Sequence, residues 1–395
     1  MVTAVVTHGG VCAGTVGPFP VEVPPWWSEV EPVTAHLEQV LGVPVVVLRL
    51  LAVEGADGMR DGHVSYHAEA LQSPGEAGAP RPTGELTPCE FAVDDHPLRM
   101  HWARPEGLRE LLDWAAGQVE LTGRPVQRKT WNLSCLFRLP AVGGTVWLKA
   151  IPPFAAAEPA AIAAFAEVDP GLVPEVLASG PGRLLLGDIP GTERRDQSPQ
   201  VVAGTVRRFV AAQARVSPPR DLPDRRPEIL AAAVRDLLDG AVGAELTAGE
   251  LRAARSMQDR WEMLAGCGLP DTVVHGDFHP VNWRADGDGP AVVLDWADAH
   301  LGNPVLDGLR AIDFLPPALR QTAAAAWIAA WTAAAPRSRP ADALRIAEPL
   351  AQFAFAVRYQ EFLDNIEPSE HVYHYGDPAA AIRTALAGTS VLDGT

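Results

Sequence analysis

Several features that assign a sequence to particular classes are scarce or missing in this chain. Its 395 residues contain four cysteines, Cys12, Cys89, Cys135 and Cys267, and no two of them form a C-x-x-C pair. This spacing argues against a zinc cluster and gives no disulfide framework, so we expect buried or incidental thiols. No apolar run is long enough to span a bilayer, and no basic region precedes the short apolar run at the N-terminus. We therefore expect no transmembrane helix, no membrane partner, no secretory signal and a cytoplasmic location.

Basic residues are also too few to favour nucleic acid as a partner. The sequence has 32 Lys and Arg against 49 Asp and Glu, which gives a formal net charge of −17. A general nucleic-acid binder must neutralise phosphates, and this balance disfavours that role. A small anionic ligand remains compatible with it, because a local lysine and metal ions can hold one. The length is sufficient for two or three compact units, each with its own core.

The pattern of apolar residues predicts an α+β protein with three regions. In 1–125, strand-like runs begin near residues 2, 43 and 62, and a helix is predicted over 106–120, so we expect an α+β cap. In 126–192, two strands joined at Gly143-Gly144, an Ala-rich helix and a further strand pair are typical of a small nucleotide-binding lobe. The region 193–395 is mainly helical by its periodicity, with predicted helices within 198–268, at 323–334 and at 340–364, and we expect it to carry the catalytic and acceptor residues.

One stretch, HGDFHPVNWRADGDGPAVVLDWAD from His275 to Asp298, carries the strongest chemical signal. Asp277 and Asn282 lie five positions apart on a predicted loop, and the strand-like run AVVL ends at Asp295. Protein kinases use the spacing H-x-D-x-x-x-x-N, followed by a strand and a metal-binding Asp, for phosphoryl transfer. That reaction needs a positioned hydroxyl and Mg²⁺ rather than a covalent nucleophile. We predict Asp277 as the catalytic base, with Asn282 and Asp295 as oxygen ligands of Mg²⁺.

A lysine upstream fits the same chemistry. Lys149 ends a predicted strand, where a nucleotide-binding lobe would place a lysine on ATP. Glu158 follows at the start of the next predicted helix, which is the right place for a glutamate that pairs with the strand lysine; Glu167 is the rival.

The remaining cofactor-binding candidates, Ser134 and Asp188, are chosen for their positions in the sequence. The sequence has no Gly-rich loop, so the backbone amides of the turn at 132–134 and the hydroxyl of Ser134 are predicted to cradle the phosphates. The segment 184–189 would be the hinge beside the adenine, and Asp188 is a candidate for its position there.

The histidines permit a different chemistry. His275 and His279 flank Asp277 in the pattern H-x-D-x-H. This spacing can bring two imidazoles and a carboxylate to one metal ion, as in a metal-dependent hydrolase. No second His and Asp cluster in the sequence completes a coordination shell, and Lys149 would have no role. We therefore expect His275 to brace the loop and Asp307 to be structural, accepting hydrogen bonds from loop amides.

The motifs HGDFHPVN and LDWADAHLGNPVLDG resemble those of the aminoglycoside phosphotransferase superfamily, over residues from about 126 to 378. This resemblance implies a bilobal, protein-kinase-like fold and a small-molecule kinase that uses ATP. The segments QRKTWNLS, WLKAIPPF, NWRADGDGP and YQEFLDNIEPSEHVYHYGDP, with an N-terminal cap, are similar to those of actinobacterial glucosamine kinases, relatives of the maltokinases. The closer resemblance implies ATP-dependent phosphorylation of D-glucosamine at its 6-hydroxyl.

Glucosamine carries one ammonium group, so its site needs one or two carboxylates near the catalytic Asp. Asp298 and His300, just past the metal-binding strand, are candidates, and Trp296 would pack on a sugar face or fill the core. Further candidates lie on the late helix and its exit, where the carboxylates equally fit a solvated helix face. They are Gln360, Glu361, Asp364 and Glu367.

Other acceptors and a non-enzymatic role remain open at this point. An aminoglycoside kinase needs a wider and more acidic acceptor cleft, and a maltokinase needs no ammonium partner. A catalytically inactive nucleotide-binding module is the non-enzymatic alternative. The presence of Lys149, Asp277, Asn282 and Asp295 in their expected places weighs against it.

Overall fold

The chain divides into two compact units, which we call the sheet unit and the helical unit. A computed structural model describes residues 1–21, 26–55, 59–74, 86–89, 91–92, 94–193, 198–287 and 289–388. The sheet unit comprises Met1–Pro153, Leu177–Asp188 and Phe362–Tyr375. The helical unit comprises Phe154–Val176, Ile189–Glu361 and the described part of Gly376–Thr395.

The N-terminal part of the sheet unit is a four-stranded sheet with apolar helices. Its elements are β1 (Val2–His8), β2 (Val11–Phe19), α1 (Glu31–Leu41), β3 (Val45–Glu54), β4 (His63–Ala70) and α2 (Pro105–Ala116). The strand order is β2-β1-β4-β3, and β1 and β4 run parallel. Buried residues alternate with partly buried ones over most of β1, and the buried set packs into a core that includes Leu37, Leu50 and Tyr66. The three predicted strands and the predicted helix are confirmed; β2 and α1 are additional elements.

A second, five-stranded sheet completes this unit. Its strands are β5 (Val126–Trp131), β6 (Ser134–Ala141), β7 (Gly144–Ala150), β8 (Val176–Gly180) and β9 (Arg183–Gly187), in the order β5-β6-β7-β9-β8. The prediction of two strands before residue 151 was wrong, because the turn at residues 132 and 133 separates β5 from β6. Lys149 lies on the central strand β7, opposite Leu136 of β6 and Leu184 of β9.

The C-terminal segment Phe362–Tyr375 belongs to the sheet unit through buried polar contacts. Its 3₁₀ helix, Pro368–Tyr373, contacts β3, where the Leu50 N–H donates to Glu370 Oε1 at 3.4 Å. Glu367 forms ion pairs with Arg99 at 2.9 Å and with Arg49 at 3.3 Å, and all three side chains are buried. The amide of Asn132, in the β5–β6 turn, donates to the Glu370 carbonyl at 3.4 Å.

The helical unit consists mainly of helices with apolar buried faces. They are α3 (Glu158–Val168), α4 (Pro199–Gln213), α5 (Pro227–Asp239), α6 (Ala241–Ala244), α7 (Ala248–Ser256), α8 (Asp259–Ala265), α9 (Val305–Phe314), α10 (Pro317–Ala334), α11 (Pro340–Asn365) and α12 (Asp377–Leu386). The helical predictions for 198–268, 323–334 and 340–364 are confirmed. No helix in the described part of the chain is long and apolar enough to cross a membrane.

Short strands hold the loops of the helical unit. They are β10 (Thr192–Glu193), β11 (Asp224–Arg225), β12 (Thr272–Val274), β13 (Trp283–Ala285), β14 (Val292–Val293) and β15 (His300–Gly302), in the sheets β10-β13-β14 and β11-β15-β12. The predicted strand up to Asp295 is shorter than expected. It pairs with β13 only at Val292 and Val293, and the Leu294 N–H already turns to the Asn282 carbonyl, at 2.8 Å.

An aromatic core supports this part of the helical unit. Phe209 of α4 stacks on Phe278 with ring centroids 3.9 Å apart, and Phe165 of α3 packs on Trp296 at 4.5 Å. All four rings are fully buried. Large aromatic side chains dominate core energetics, so the loops that carry Phe278 and Trp296 are anchored to α3 and α4.

Candidate active site

The loop after β12 is braced by the buried ring of His275. Its Nε2–H donates to the Leu294 carbonyl at 2.9 Å, and its Nδ1 accepts the Asp277 N–H at 3.1 Å. The bond that Nδ1 accepts needs a neutral ring, and burial lowers the pKa of His275 to about 4. The predicted bracing role of His275 is confirmed. Since both ring nitrogens already bond within the loop, the contacts do not favour a metal-ligand role.

Asp307, in the first turn of α9, holds the same loop by its amides. Its carboxylate accepts the N–H groups of His275 and Gly276, each at 2.9 Å, and the side-chain amide of Gln213 at 2.8 Å. Burial raises the pKa of Asp307 to about 7, although the three N–H donors oppose the rise. The predicted structural role of Asp307 is confirmed, whereas its partner Gln213 was not predicted.

Gly276 is required where the loop passes the turn at Asp298. Its φ of +84° lies in the left-handed region, and a Cβ there would be 2.5 Å from the Asp298 carbonyl oxygen. Conformation and space therefore both demand glycine.

Asp277 is held by side chains on both of its carboxylate oxygens. Oδ1 accepts Nε and Nη2 of Arg310 at 2.8 and 2.6 Å, and Oδ2 accepts the Asn282 amide at 2.9 Å and pairs with His279 Nε2 at 3.1 Å. Burial alone would raise the pKa of Asp277, but Arg310 and His279 outweigh it and hold that pKa well below its ordinary value. The side chain keeps 24% of its surface exposed. Asp277 is thus an oriented carboxylate that is open to solvent.

Arg310 of α9 is a part of this cluster that the sequence did not indicate. Its guanidinium lies over the rings of Phe314 and Phe355, 4.2 and 4.5 Å from their centroids. Cation–π contacts of this kind restrict the positions that the guanidinium can adopt. They therefore hold Arg310 in its ion pair with Asp277. An arginine within the mostly buried helix α9 was the available signal, since a poorly exposed arginine needs a carboxylate partner.

Asn282 and Asp295 offer oxygen donors beside this carboxylate. The Asn282 amide nitrogen donates to the carbonyl and to Oδ2 of Asp277, which leaves the amide oxygen as the donor atom for a cation. Asp295 is exposed and, at φ +61°, is the non-glycine residue with positive φ among those the structure describes. Such conformations cost about 1–3 kcal/mol and cluster at functional sites. An amide oxygen and a carboxylate suit a hard cation such as Mg²⁺.

The residues predicted to bind the nucleotide occupy well-defined positions. Lys149 is a buried residue of β7. Glu158, the first residue of α3, is also buried, and its Oε1 accepts the Trp296 N–H at 3.2 Å, which fixes the backbone beside Asp295. The pairing of Glu158 with Lys149 stays a prediction.

The two candidates chosen for their position have local partners. The Ser134 hydroxyl accepts the indole N–H of Trp131 at 3.1 Å, so it braces the turn and has its hydroxyl hydrogen left to donate. Asp188 follows β9, is exposed, and accepts the indole N–H of Trp147 at 2.7 Å. These contacts give each side chain a structural task in addition to the predicted one.

Asp298 and Glu361 are already joined to arginines. Asp298 Oδ1 accepts Nε and Nη2 of Arg358 at 2.7 and 2.6 Å, and Glu361 Oε2 pairs with Arg358 at 2.8 Å and with Arg225 at 2.5 Å. The cluster holds two carboxylates and two guanidiniums, so it is balanced in charge. Both guanidinium bonds to Asp298 fall on Oδ1, and this carboxylate keeps 27% of its side-chain surface exposed. Its Oδ2 thus remains able to accept bonds.

His300 adds a second acceptor next to Asp298. Its Nδ1–H donates to the Asp298 carbonyl at 2.8 Å, and burial lowers the pKa of His300 to about 3, so the ring is neutral. Its Nε2 is buried and has no partner among the described residues. His300 and Asp298 line a small cleft with Gly276, Arg225 and Arg358. The cleft therefore reaches the catalytic loop at Gly276.

The comparison with known families shows which family the chain belongs to. A model described as "Phosphotransferase enzyme family" matches residues 122–341, more than half of the chain. The chain belongs to the phosphotransferase enzyme family. The predicted membership of the aminoglycoside phosphotransferase superfamily is confirmed by this match. No curated protein matches the sequence.

Solved structures show which fold this phosphotransferase has. A choline/ethanolamine kinase family protein from Mesorhizobium loti superposes with a TM-score of 0.51 at 17% identity, over 72% of this chain and 97% of that one. A macrolide 2′-phosphotransferase type I gives 0.50 at 19% identity, over 73% and 99%. The choline kinase of Cryptosporidium parvum Iowa II gives 0.50 at 9% identity, over 72% and 98%. The predicted α+β fold of the protein-kinase-like small-molecule kinases is confirmed.

Some of the predicted acceptor residues of this phosphotransferase need correction. Trp296 is fully buried and its indole N–H donates to the Val293 carbonyl at 2.9 Å, so it fills the core and presents no face to a sugar. Glu367 is likewise committed to its buried arginines in the sheet unit. Gln360 is half-buried and is not among the residues that line the cleft. Asp364 is exposed near the end of α11, and the acceptor roles of Gln360 and Asp364 stay predictions. Arg358 and Arg225, which anchor the two remaining carboxylates, were missed.

Proposed function

We propose that this phosphotransferase transfers the γ-phosphoryl group of ATP to a hydroxyl of a small molecule, with Asp277 as the catalytic carboxylate. The observation that carries the proposal is the arrangement at Asp277, where Arg310, Asn282 and His279 fix both carboxylate oxygens. A carboxylate with a low pKa is a weak base. Phosphoryl transfer relies on positioning and electrostatics more than on base strength, so an oriented, ionised Asp277 suits the reaction.

The metal and the nucleotide have candidate partners of the right chemistry. The Asn282 amide oxygen and the Asp295 carboxylate would hold Mg²⁺, whose chemistry there is to neutralise the phosphate oxygens. Lys149 would bind the phosphates of ATP, with Glu158 as its partner, while the backbone turn at Ser134 would cover them. Asp188 keeps its proposed place beside the adenine. These roles follow the resemblance of the motifs to small-molecule kinases.

For the acceptor we propose D-glucosamine, phosphorylated at its 6-hydroxyl to glucosamine 6-phosphate. Asp298 Oδ2 supports this choice, because a carboxylate oxygen of a residue that lines the cleft beside Gly276 suits the ammonium of an amino sugar. The charge-balanced pairs of Asp298 and Glu361 with arginines argue against a strongly polycationic acceptor. An aminoglycoside, which carries several ammonium groups, fits this cleft less well than a sugar with one.

The test is ATP consumption with Mg²⁺ against glucosamine, glucose, N-acetylglucosamine, maltose and kanamycin in parallel. We expect glucosamine to have the highest kcat/KM, and N-acetylglucosamine to lose most of the rate since its nitrogen carries no charge. Asp298→Asn should lower the ratio of kcat/KM for glucosamine to kcat/KM for glucose by about tenfold or more, because it weakens a charge-assisted hydrogen bond to the ammonium. Asp277→Asn is the inactive control and should still bind ATP. A preference for another acceptor would contradict the sugar assignment, and turnover by Asp277→Asn would remove Asp277 from its role.

A further inference from the structure

Two cysteines that the sequence separates widely come together at the edge of the N-terminal sheet. β2 is the edge strand of that sheet, in the order β2-β1-β4-β3. The segment 86–89 lies along it, because Thr15 N–H donates to the Thr87 carbonyl at 2.8 Å and Thr87 N–H donates back to Thr15 at 2.9 Å. This reciprocal pair defines an antiparallel bridge.

The register of that bridge brings Cys89 beside Cys12. β2 bulges at Ala13, because Val6 pairs with Gly14 and Thr7 pairs with Cys12, so Cys12 lies on the same face of the sheet as Thr15. Thr87 is opposite Thr15, and Cys89, two residues further on, points to that face as well. The side chain of Cys12 is hydrogen-bonded to that of Cys89. The two thiols are therefore within hydrogen-bonding reach of each other.

Two further features hold this approach in place. Gly14 has a φ of +142°, and a Cβ there would lie 2.9 Å from the Thr87 carbonyl oxygen, so glycine is needed for the segment to come this close. At the far end, the ring of Phe91 meets the buried ring of His67 on β4 edge-on, with centroids 5.0 Å apart. Cys89 lies between these two anchors.

The pair differs from the other two cysteines in its access to solvent. Cys135 and Cys267 are fully buried, whereas Cys12 and Cys89 are only partly buried. A thiol that a small reagent can reach, with a second thiol in contact, is the arrangement in which a disulfide forms by exchange.

We propose that Cys12 and Cys89 form a reversible intramolecular disulfide when the protein meets a low-molecular-weight disulfide such as oxidised glutathione. This is a modification site of the sheet unit, separate from the residues of the proposed kinase site.

The exchange proceeds in two balanced steps. The Cys89 thiolate attacks one sulfur of oxidised glutathione, which breaks the glutathione S–S bond, releases one glutathione thiolate and leaves a mixed disulfide on Cys89. Cys12 then loses its proton to water and attacks the Cys89 sulfur, which releases the second glutathione. Two protein thiols and one oxidised glutathione become one protein disulfide and two reduced glutathiones. Burial and the neighbouring Cys89 thiol raise the pKa of Cys12, which is why the first attack falls to Cys89.

The experiment treats the native, reduced, full-length protein with oxidised glutathione, blocks the remaining thiols with iodoacetamide and maps the peptides by mass spectrometry. We expect one cross-linked pair, Cys12 with Cys89, while Cys135 and Cys267 are recovered as alkylated thiols after unfolding. The free thiols per chain fall from four to two. Cys12→Ser and Cys89→Ser are a matched pair. In Cys12→Ser the remaining Cys89 should stop at the glutathione mixed disulfide, whereas in Cys89→Ser the remaining Cys12 should react with oxidised glutathione much more slowly. Mixed disulfides on both residues of the native protein without a link, or no reaction at either, would overturn the proposal.

A second measurement does not depend on the variants. The cross-link closes a loop from residue 12 to residue 89, which restricts the unfolded chain, so oxidation should raise the Tm by about 5 °C or more. Reduction with dithiothreitol should return the Tm to its starting value. Cys12→Ser should show no rise on the same treatment. An unchanged Tm in a protein whose cross-link is complete would mean that the two segments are not held together in the native state, against the geometry described above.

Discussion

At the scale of single residues, the charge on Asp277 depends on a guanidinium from a distant part of the chain. Arg310 lies 33 positions after Asp277, on α9, and two phenylalanine rings hold it in place. In the proposed reaction Arg310 is a positioning residue, because it acts on Asp277 and has no assigned contact with a substrate. Its removal should therefore change the titration of Asp277 as well as the rate.

We predict that Arg310→Gln moves the acid limb of the kcat–pH profile to higher pH. Without the guanidinium, burial raises the pKa of Asp277, so the carboxylate is protonated at a higher pH than in the parent protein. The shift should be at least about one pH unit, with kcat at neutral pH reduced by about tenfold or more. Arg310→Lys should restore part of the shift because it restores the charge. Arg345→Gln, an exposed arginine of α11, is the control. An acid limb that stays in place would show that Arg310 has only a structural role.

The sequence predicts the catalytic loop better than the partners of its side chains. His275, Asp277 and Asn282 lie within one short segment, so their spacing alone places them together, and the bracing by His275 follows from it. Arg310 and Arg358 come from helices far along the chain, and only packing brings them to the site. A signal existed for Arg358, which lies within the apolar run FAFAVRY, because a buried arginine needs a partner.

At the scale of elements, the loop between β12 and β13 depends on one glycine. Gly276 has a left-handed φ, and the Asp298 backbone occupies the space that a Cβ would need. The same contact links the catalytic loop to the turn that carries Asp298.

We predict that Gly276→Ala lowers the Tm by several degrees and abolishes most turnover. The new methyl group must displace the Asp298 backbone, which moves Asp277 and Asp298 relative to each other. Gly143→Ala is the matched control, because Gly143 also has a positive φ, +93°, and nothing lies within 4 Å of its Cβ position. Differential scanning fluorimetry and the glucosamine assay measure both effects. Equal losses in the two variants would mean that backbone conformation, and not the contact with Asp298, sets the requirement.

Helices with long apolar faces were predicted correctly, and elements with weak local signals were not. α1 has no side-chain hydrogen bond at its N-cap, although Gly42 ends it at φ +71°. β2 contains Gly14, Gly17 and Pro18, residues that are depleted in strands. β2 forms because β1 and the segment around Thr87 supply its hydrogen-bond partners, and this information is not local.

At the scale of the whole molecule, buried ionisable groups shape the dependence of stability on pH. Burial raises the pKa of Glu370 to about 8 and that of Asp307 to about 7, while it lowers the pKa of His275 to about 4 and that of His67 and His300 to about 3. Glu370 and Asp307 bind protons more tightly in the folded state than in the unfolded state. The stability that they contribute is therefore complete below about pH 4 and is lost as the pH rises towards about 7 and 8. The three histidines bind protons less tightly in the folded state than in the unfolded state, so they destabilise the fold at low pH. This destabilisation disappears as the pH rises from about 3 to about 6.5. Stability should therefore be greatest near pH 6.5 and fall towards pH 8.

We predict that Glu370→Gln removes part of the fall in Tm between about pH 6.5 and 8. Gln cannot ionise, and its side-chain oxygen can still accept the Leu50 N–H. Glu367→Gln should do the opposite and lower the Tm by many degrees at every pH, because it leaves Arg99 and Arg49 buried with a weaker partner. Exposed Glu120→Gln is the control. Parallel Tm–pH curves for Glu370→Gln and the parent protein would contradict the assignment of the alkaline loss to Glu370.

The segment Phe362–Tyr375 also determines when, during synthesis of the chain, the sheet unit can finish folding. Arg49 and Arg99 precede their buried partner Glu367 by 318 and 268 residues, so both are synthesised long before it. Until then two guanidiniums of the N-terminal region cannot be buried without a large desolvation cost. The sheet unit is therefore completed only after Glu367 has been synthesised. Messages truncated before this segment should yield N-terminal fragments that chaperones and proteases recognise as unfinished.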